Sequence, residues 1–328
     1  MGSKKPAYST FSQQQISGRR PALSPVHTAK ISFALAIPFM AVGGAVWHGV
    51  KDLQTLGYRY DDVTACSNGF FPTAAEEQSK ISINGAGTTC SVTLTATEKL
   101  KAPVYVYYEL GNFYQNHRAY VRDLDYFQLS EGASASQGLC TTNIKNATGA
   151  DIVPCGVQAW SYFNDTYTVK LDGTTVAIDD NNIAWSADVN YRFGDYAPEN
   201  MNTEQATRGG AQISGNSVRG DEHFVTWMRT AAFSNFRKLL GKIEVDIQEG
   251  TTITVDINNL YNTYKFNGEK HIVFATNSWV GGSNVVLPAL YLLVGALFTC
   301  LGVFALVMEY YLKNAHSIGY AGYGIEEL

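Results

Sequence analysis

The chain contains 328 residues, in which 24 lysines and arginines stand against 29 aspartates and glutamates, for a formal net charge of −5. That length has room for two average domains. A mildly acidic balance of this kind is not the basic footprint of a nucleic-acid-binding protein, so no nucleic-acid partner is expected.

The first 30 residues carry positive charge alone. Their basic side chains are Lys4, Lys5, Arg19, Arg20 and Lys30, and the segment holds no Asp or Glu. Its Ser, Gln and Pro content is typical of an unstructured arm. Because positive charges next to a membrane span hold that end in the cytoplasm, residues 1–30 are predicted to form a cytoplasmic arm.

An apolar segment follows the arm. Ile31–Val50 has 20 residues without a charged side chain, which as a helix cover roughly 30 Å and cross a bilayer core. Pro38 predicts a kink in this helix, and Gly43 and Gly44 favour close approach of a second helix. A cleaved signal peptide is the alternative, but 30 residues precede the segment and it exceeds a usual signal core.

Residues 51–284 form one large polar domain. It holds 18 Lys and Arg against 26 Asp and Glu, a net charge of −8, and four cysteines: Cys66, Cys90, Cys140 and Cys155. In an oxidising compartment four cysteines allow three pairings. The sequential pairing closes short loops worth about 3 kcal/mol each. A zinc site is the alternative, but the Cys-x-x-Cys spacing typical of one is absent.

Two acceptor motifs for N-linked glycans fall in the same domain, Asn146-Ala-Thr and Asn164-Asp-Thr. Together with the cysteines, they place residues 51–284 on the exoplasmic side and both chain ends in the cytoplasm. N-linked glycans are expected, and no metal or other cofactor is.

The first half of this domain is predicted to contain loops, one strand and one helical segment. Residues 52–62 lead out of the span as a helix or an extended stem, and the Gly/Thr/Ser-rich residues 67–96 predict a loop. Pro103–Leu110 alternates apolar side chains and predicts a strand with one buried face. Apolar residues recur at helical spacing in residues 111–129.

Asp123-Leu-Asp125, within that helical segment, superficially resembles a metal-binding pair of carboxylates. Charges on the surface of the segment are the favoured interpretation of these two residues.

The second half of the domain carries clearer patterns. Residues 195–220 are poor in large apolar side chains and predict a long exposed loop. Residues 222–242 have apolar positions at helical spacing and predict a helix. Two alternating runs, residues 243–247 and 253–257, predict a β-hairpin, and His271–Thr276 predicts a last strand.

A second apolar segment, Val285–Met308, has 24 residues without a charge and covers roughly 36 Å as a helix. Tyr310 and Tyr311 follow it, as expected at a lipid–water interface. It is predicted to be the second transmembrane helix, with residues 309–328 as a cytoplasmic tail. Neither span contains Asp, Glu, Lys or Arg, so the spans offer no ion pathway of their own.

Common catalytic signatures are missing from the sequence. It has no Walker-type phosphate loop, His-Glu-x-x-His motif, Gly-x-Ser-x-Gly turn or dinucleotide fingerprint. It also has no Asp-Lys-Thr-Gly that could form an aspartyl phosphate, and its six histidines never stand at metal-ligand spacing. The chain is therefore not expected to be an enzyme.

Five strings of residues carry a family resemblance. They are YVYYELGNFYQNHRAYV (105–121), PCGVQAWSYFNDT (154–166), IAW (183–185), EHFVTWMRTAAFSNFRKLLGKI (222–243) and HIVFATNSWVGGSNVVL (271–287). Their content and order resemble the cell division control protein 50 family, the accessory (beta) subunits of type IV P-type ATPases, which are phospholipid flippases. The resemblance covers about Tyr58 to Met308.

The resemblance implies a membrane protein in which two transmembrane α-helices flank a large, β-rich exoplasmic domain of antiparallel sheets with helices and long loops. Asn164 matches the family's glycosylated Asn-Asp-Thr. Cys140 and Cys155 match its second disulfide, and Cys66 and Cys90 match its first cysteine-bearing loop, where family members often hold additional cysteines.

Two segments are predicted to contact the catalytic subunit. They are Trp227, Met228 and Arg229 in the first, and Trp279, Gly281 and Gly282 in the second. The alternative for each is an ordinary core position or a strand-to-helix turn.

The predicted function is that of a non-catalytic subunit in a heterodimer with a phospholipid-transporting P-type ATPase in a lipid membrane. The partner supplies the aspartyl phosphate and moves phospholipid to the cytoplasmic leaflet, while this chain supports its folding, its exit from the endoplasmic reticulum and its transport cycle. Endoplasmic reticulum, Golgi, endosomes or plasma membrane are the expected locations. A two-span ligand-gated channel subunit is the alternative, although such channels usually carry more ectodomain cysteines and a basic ligand site. A membrane-tethered ectoenzyme is a further alternative, but it would need a set of catalytic residues, and the common catalytic motifs are missing from the sequence.

Overall fold

A computed structural model describes residues 24–67, 88–203, 210–214, 217–263 and 266–322, the side chains of residues 315–322 excepted. The chain forms two compact units, one made of both chain ends, up to Lys51 and from Asn284, and one made of Asp52–Ser283. Most of the predicted arm and most of the predicted 67–96 loop lie outside the described residues.

The regular elements of the described residues are short except for two helices. The helices are α1 (Pro25–Val50), α2 (Thr64–Ser67), α3 (Arg118–Arg122), α4 (Tyr126–Glu131), α5 (Val157–Trp160), α6 (Ser186–Tyr191), α7 (Glu222–Met228) and α8 (Val286–Gly322). The strands are β1 (Thr55–Arg59), β2 (Thr88–Thr95), β3 (Val104–Gly111), β4 (Thr166–Leu171), β5 (Thr174–Val176), β6 (Phe236–Ile243), β7 (Thr252–Asn259) and β8 (Glu269–Ala275). A 3₁₀ turn covers Ala133–Ala135.

The two long helices confirm both predicted apolar helices. Each is long and apolar enough to cross a membrane. Helix α1 begins at Pro25, earlier than predicted, because the Ser24 hydroxyl accepts the His27 N–H at 3.3 Å and proline suits the first helical turn. Helix α8 continues past Met308 to Gly322.

Helices α1 and α8 pack closely because glycines lie at their contact. A Cβ built on Gly43 would stand 2.9 Å from the Leu292 side chain and 3.1 Å from its backbone nitrogen. On α8, a Cβ at Gly295 would stand 2.7 Å from the Met40 sulfur. Small residues of this kind let two apolar helices approach until their backbones nearly touch.

Gly43→Val is expected to destabilise the helix pair, because the added side chain collides with Leu292. Gly44→Val is the matched control, since among the described residues no atom beyond the adjoining turns of its own helix lies within 4 Å of a Cβ at Gly44. Overpacking a close contact typically costs about 1–3 kcal/mol, so the Gly43 variant should lose thermal stability in detergent and the Gly44 variant should not. Equal losses in the two variants would contradict this packing.

The intervening unit contains two four-stranded antiparallel sheets. Their strand orders are β1-β8-β3-β6 and β2-β7-β4-β5. In the second sheet the buried side chains of paired strands face each other in register, as for Val92 with Val255 and Leu94 with Ile253. Alternation puts every second side chain on one face, so β2 and β7 each present one buried row.

The buried rows of both sheets meet in one apolar core. Val106 and Phe274 enter it from the first sheet, and Val92 and Ile257 from the second. A second core lies under the short helices and loops and is rich in aromatic side chains, including Phe224 and Trp227. The unit is therefore a β-sandwich with a separate layer of helices and loops.

Three strand predictions hold. The predicted strand Pro103–Leu110 is β3, and its Val104, Val106, Tyr108 and Leu110 side chains are all buried. The predicted last strand is β8, displaced by one or two residues. Residues 52–62 take the extended alternative and contain β1.

The predicted loops are partly wrong. Residues 88–95, placed in a loop, form β2, because the Thr-rich sequence alternates apolar side chains that pair with β7. Of the predicted exposed loop 195–220, the described parts lack regular structure but are not uniformly exposed. Met201, Asn202 and Val218 are buried at 3%, 0% and 0% exposure, because the segment folds over the aromatic core.

The predicted helix over residues 222–242 is wrong in its second half. Helix α7 ends at Met228, and Phe236–Ile243 form the edge strand β6. Strand β6 supplies β3 with its second hydrogen-bonding neighbour. Tertiary pairing therefore overrides the helical spacing of the apolar residues here.

The predicted β-hairpin is also wrong. Of the first run, only Ile243 lies in a strand, as the last residue of β6 in the first sheet, whereas residues 253–257 lie in β7 of the second sheet. The chain crosses between the sheets through residues 244–251. Ile243 and Ile247 are buried in the core that also holds Ile253, Val255 and Ile257, whereas Val245 is 51% exposed. Alternation of apolar residues does not reveal the pairing partner of a strand.

Candidate functional site

A buried ion pair joins the two sheets at one end of the sandwich. Lys270 in β8 and Asp165, just before β4, are both 0% exposed, and Nζ lies 2.7 Å from Asp165 Oδ2. Lys270 also donates to the Asn259 side-chain oxygen and to the Tyr261 carbonyl, so all three of its protons are used. Asp165 Oδ1 accepts the backbone N–H groups of Leu260 and Tyr261 at 2.7 and 2.6 Å. The pair is therefore fully hydrogen-bonded.

Two tyrosines complete this centre. The Tyr60 hydroxyl donates to Asp165 Oδ2 at 2.7 Å and lies 2.6 Å from the Tyr167 hydroxyl. Because Tyr60 has one proton to give, Tyr167 donates in the second bond. Burial, reinforced by Asp165, raises the pKa of both tyrosines well above 10.0. Burial lowers the pKa of Lys270, and Asp165 opposes that change. The network is closed and holds the fold together.

The interpretation of Asp123 and Asp125 as surface charges is wrong. The two residues are only 2% and 1% exposed, because they cap and bind loops. The predicted helical segment 111–129 breaks at this point into α3 and α4. The N–H groups that donate to the carboxylates belong to Phe127, Gln128, Gln137 and Leu139 for Asp125, and to Thr141, Thr142 and Val157 for Asp123. These donors lie on both sides of Cys140 and just after Cys155.

Asp123→Asn is expected to lower the free energy of unfolding by about 2 kcal/mol at pH 6. Burial raises the pKa of Asp123, but the hydrogen bonds from Thr142, Thr141 and Val157 outweigh burial and hold the pKa below 3.8. Such a group stabilises the fold above its unfolded pKa, and the contribution is lost as the pH falls through the folded value. The difference between variant and wild type should therefore shrink below about pH 4.

Denaturant unfolding of the full chain in detergent, repeated from pH 6 downward, measures this difference. Asp151→Asn is the control, because the Asp151 side chain is 66% exposed and should show little effect. A loss in Asp123→Asn that stays constant with pH would contradict the role of the charge.

Two disulfides lie in the sandwich unit. Cys66 is joined to Cys90, which ties α2 to β2, and Cys140 is joined to Cys155. The fifth cysteine, Cys300, lies in α8 as a free thiol.

The two acceptor asparagines differ in their surroundings. Asn146 Oδ1 accepts from the Thr148 hydroxyl at 2.8 Å, within a turn. Asn164 lies half-buried at a cavity of about 360 Å³, which Tyr108, Tyr167 and His223 also line. Its Oδ1 has no hydrogen-bond partner within the described part of the chain. Asp165, the middle residue of this acceptor motif, is anchored in the buried ion pair.

Two of the predicted contact residues are core residues. Trp227 is 0% exposed, and its indole N–H donates to the Gln158 carbonyl at 2.9 Å. Its ring lies 5.7 Å from Phe113 and 6.2 Å from Tyr261. Met228 is 7% exposed. The helical face that these residues form is the buried one, so neither side chain lies on a surface that a partner could contact.

Arg229, by contrast, reaches the surface. Its guanidinium carbon lies 4.3 Å above the ring of Trp185, which is 64% exposed, and its Nε lies 3.0 Å from Asp188. Asp188 is shared with Arg192, at 3.3 Å. Trp185 belongs to the IAW string, whose residue pattern by itself indicates no role for this tryptophan.

The second predicted contact segment lies in a turn. Trp279 is 77% exposed, and Ser278 and Gly281 exchange both backbone hydrogen bonds at 2.9 Å. Gly281 has φ of +113°, which favours glycine, and Gly282 follows it. This segment is open to a partner.

A wide groove lies beside α3. It has a volume of about 860 Å³, and its walls include His117, Arg118 and Arg122. A smaller pocket of about 50 Å³ shares Val121, Leu124 and Tyr126 with the groove and adds Arg192. The groove therefore continues toward Arg192, which shares Asp188 with Arg229. Most of the groove's walls come from residues 117–126, and residues 139 and 141 complete them. The sequence alone does not reveal the groove, because its shape depends on how these two stretches fold against each other.

Among the described residues, no three His, Cys, Asp or Glu side chains converge in a way that could hold a metal ion. The polar clusters of the sandwich are structural, and its exposed features are surfaces suited to binding.

Comparison with known proteins agrees with this picture. Residues 46–315 match the model of the LEM3 (ligand-effect modulator 3) family / CDC50 family. ALA-interacting subunit 3 of Arabidopsis thaliana is 37% identical over 323 residues, covering 98% of this chain and 90% of the relative. Cell cycle control protein 50B of Homo sapiens is 30% identical over 334 residues, covering 94% of each chain. Phospholipid-transporting ATPase accessory subunit CRF1 of Saccharomyces cerevisiae is 29% identical over 335 residues, covering 93% of this chain and 85% of the relative.

The family match spans the whole β-sandwich unit and most of α8. Two apolar helices, two antiparallel sheets and a relative of 37% identity along nearly the full length all agree with it. The chain belongs to the LEM3/CDC50 family.

Proposed function

We propose that this chain is the non-catalytic accessory subunit of a phospholipid-transporting P-type ATPase. The observation that carries the proposal is the family match over residues 46–315. The yeast relative is named as an accessory subunit of a phospholipid-transporting ATPase, and the plant relative as an interacting subunit. The sandwich adds binding surfaces and buried structural networks, which suit a subunit that acts through contacts.

In the proposed complex one copy of this chain pairs with one ATPase chain. The ATPase supplies the phosphorylated aspartate and the lipid pathway, and moves phospholipid from the exoplasmic to the cytoplasmic leaflet. This chain favours particular ATPase conformations through contacts that differ between them, since a binding partner shifts an equilibrium only through differential affinity. The same contacts support folding of the ATPase and its exit from the endoplasmic reticulum toward the Golgi, endosomes or plasma membrane.

The proposed orientation places both chain ends in the cytoplasm and the sandwich on the exoplasmic side. Five positive charges without an acidic residue precede α1, and such charges favour the cytoplasm. The two disulfides suit an oxidising compartment.

Asn146→Gln and Asn164→Gln are each expected to remove one glycan if the sandwich faces the exoplasmic side. The measurement is electrophoretic mobility of the chain expressed in its native membrane, with and without enzymatic deglycosylation. Asn181→Gln is the control, because Asn181 lies outside an acceptor motif. Wild-type mobility that deglycosylation leaves unchanged would contradict this orientation.

The function is tested by uptake of a fluorescent phospholipid in cells that lack this chain. The expected result is loss of ATP-dependent uptake and retention of the ATPase in the endoplasmic reticulum, both restored by the wild-type chain. Normal uptake and normal ATPase location without the chain would overturn the proposal.

A further inference from the structure

One surface of the sandwich unit combines arginines with exposed aromatic side chains, and we name it the arginine face. Its members are His117, Arg118, Arg122, Tyr126, Trp185, Arg192 and Arg229. The wide groove runs along its first four residues, and the Trp185–Arg229 stack lies at its other end. Arginine, tyrosine and tryptophan are the residues most enriched among energetically dominant interface contacts.

The charge of this face is opposite to that of its domain. Residues 51–284 carry a net charge of −8, yet among the described residues no carboxylate lines the wide groove. Asp188 is the acidic neighbour at the far end, and it binds both Arg192 and Arg229. Because the two guanidiniums share one carboxylate, this end of the arginine face also has a net positive charge.

Arg118 and Arg122 are exposed, and neither forms an ion pair within the described part of the chain. They stand four residues apart on α3. Like charges at that spacing face each other on a helix and destabilise it. An acidic ligand placed between the two side chains would remove this repulsion.

At the other end of the face, the Arg229 side chain is held in place before any ligand binds. Arg229 is held by the Trp185 ring on one side and by Asp188 on the other, at 4.3 and 3.0 Å. An arginine fixed in this way loses little side-chain entropy when a ligand binds. The wide groove at the first end has an apolar floor of Val121 and Leu124 beside the half-exposed ring of Tyr126.

We propose that the arginine face binds an acidic peptide segment of the ATPase subunit on the exoplasmic side of the membrane. The inference rests on the proposed function, which supplies the partner. Charge complementarity selects an acidic occupant, and guanidiniums bind carboxylates in a two-point geometry. A groove of about 860 Å³ with an apolar floor fits several residues of extended peptide rather than a single small anion.

The first test reverses charge on the full chain coexpressed with its ATPase. Arg118→Glu combined with Arg122→Glu is expected to reduce the ATPase recovered with each folded molecule of this chain by about tenfold. Arg118→Gln combined with Arg122→Gln should give a smaller loss. Lys101→Glu is the matched control, because Lys101 is exposed and lies before β3, away from the face in sequence, and it should leave recovery unchanged.

The second test identifies the occupant directly. A photoreactive phenylalanine analogue in place of Tyr126 is activated in native membranes, and the crosslinked peptide is sequenced. The expected product is a segment of the ATPase rich in Asp or Glu, and replacing those acids with Lys should restore binding to the Arg118→Glu/Arg122→Glu variant. Crosslinks to lipid, to a second copy of this chain or to a neutral ATPase segment would overturn the inference.

The two proposals fail in different ways. If wild-type chain recovers no ATPase, the proposed function fails. If wild-type chain recovers the ATPase and the charge-reversed variant, folded by its thermal transition, recovers equally much, only the arginine face is wrong.

Discussion

Lys270→Met is expected to lower the free energy of unfolding of the sandwich by about 3–5 kcal/mol, because it leaves Asp165 as a buried charge without its cation. Both side chains are 0% exposed at an N–O distance of 2.7 Å. Methionine fills a volume similar to that of lysine. The loss of unfolding free energy therefore comes from the missing charge and its hydrogen bonds and not from a cavity. For a domain of this size the thermal midpoint should fall by about 10 °C.

Lys170→Met is the matched control for this prediction. Lys170 and Asp256 are 2.6 Å apart, slightly closer than the buried pair, but their side chains are 35% and 29% exposed. Exposed pairs contribute about 0–1 kcal/mol, so the control should unfold almost as the wild type does. Scanning calorimetry or fluorimetry of the full chain in detergent compares the three proteins. Equal losses in the two variants would show that burial is not the deciding factor.

Trp227→Ala is the second large effect, with an expected loss of about 3–5 kcal/mol. The side chain is fully buried against Phe113 and Tyr261, and its N–H is bonded to the Gln158 carbonyl. Truncation removes the centre of the aromatic core and leaves a cavity. The measurement is denaturant unfolding of the full chain, together with the ATPase recovered per folded molecule.

Trp279→Ala is the matched control for Trp227→Ala, because it truncates an exposed tryptophan instead of a buried one. Because Trp279 is 77% exposed, its truncation should change the free energy of unfolding by less than about 0.5 kcal/mol. Any effect of Trp279→Ala should therefore appear in binding. A Trp227→Ala chain that unfolds like the wild type but loses its partner would contradict the burial of Trp227 and restore its predicted place in the interface.

Sequence patterns predicted those parts of the fold whose cause is local. The two apolar segments are long and uncharged, which allows few structures other than a membrane helix. Strand β3 was predicted because Val104, Val106, Tyr108 and Leu110 alternate with more exposed residues. In each case one stretch of chain contains all the information needed.

The predictions that are wrong concern residues whose structure is set by contacts with distant parts of the chain. Residues 236–243 have helical spacing, but β3 requires a partner on its second edge and takes them as β6. The predicted hairpin is wrong because alternating apolar residues do not show which other strand a strand pairs with, and β6 and β7 lie in different sheets. The burial of Asp123 and Asp125 is not visible in their own segment, because most of their donors lie beyond it, up to residue 157.

The buried ion pair and the arginine face also depend on residues that are distant in sequence. Asp165 and Lys270 are 105 residues apart, and no spacing rule connects them. The arginine face gathers α3, the first residue of α4, the residues on either side of α6 and the residue after α7. Its first member, His117, and its last, Arg229, are far apart in the sequence. A run of basic residues at 117, 118 and 122 in an acidic domain was visible in the sequence and is the signal that could have indicated this surface.

The most direct test of the accessory-subunit function is the mass and composition of the native complex. The chain is extracted in mild detergent without crosslinking, and the intact complex is analysed by native mass spectrometry. We expect one copy of this 35.9 kDa chain, with its glycans, bound to one P-type ATPase whose activity is stimulated by phospholipid. A homo-oligomer of this chain without an ATPase would contradict this function and favour the channel alternative.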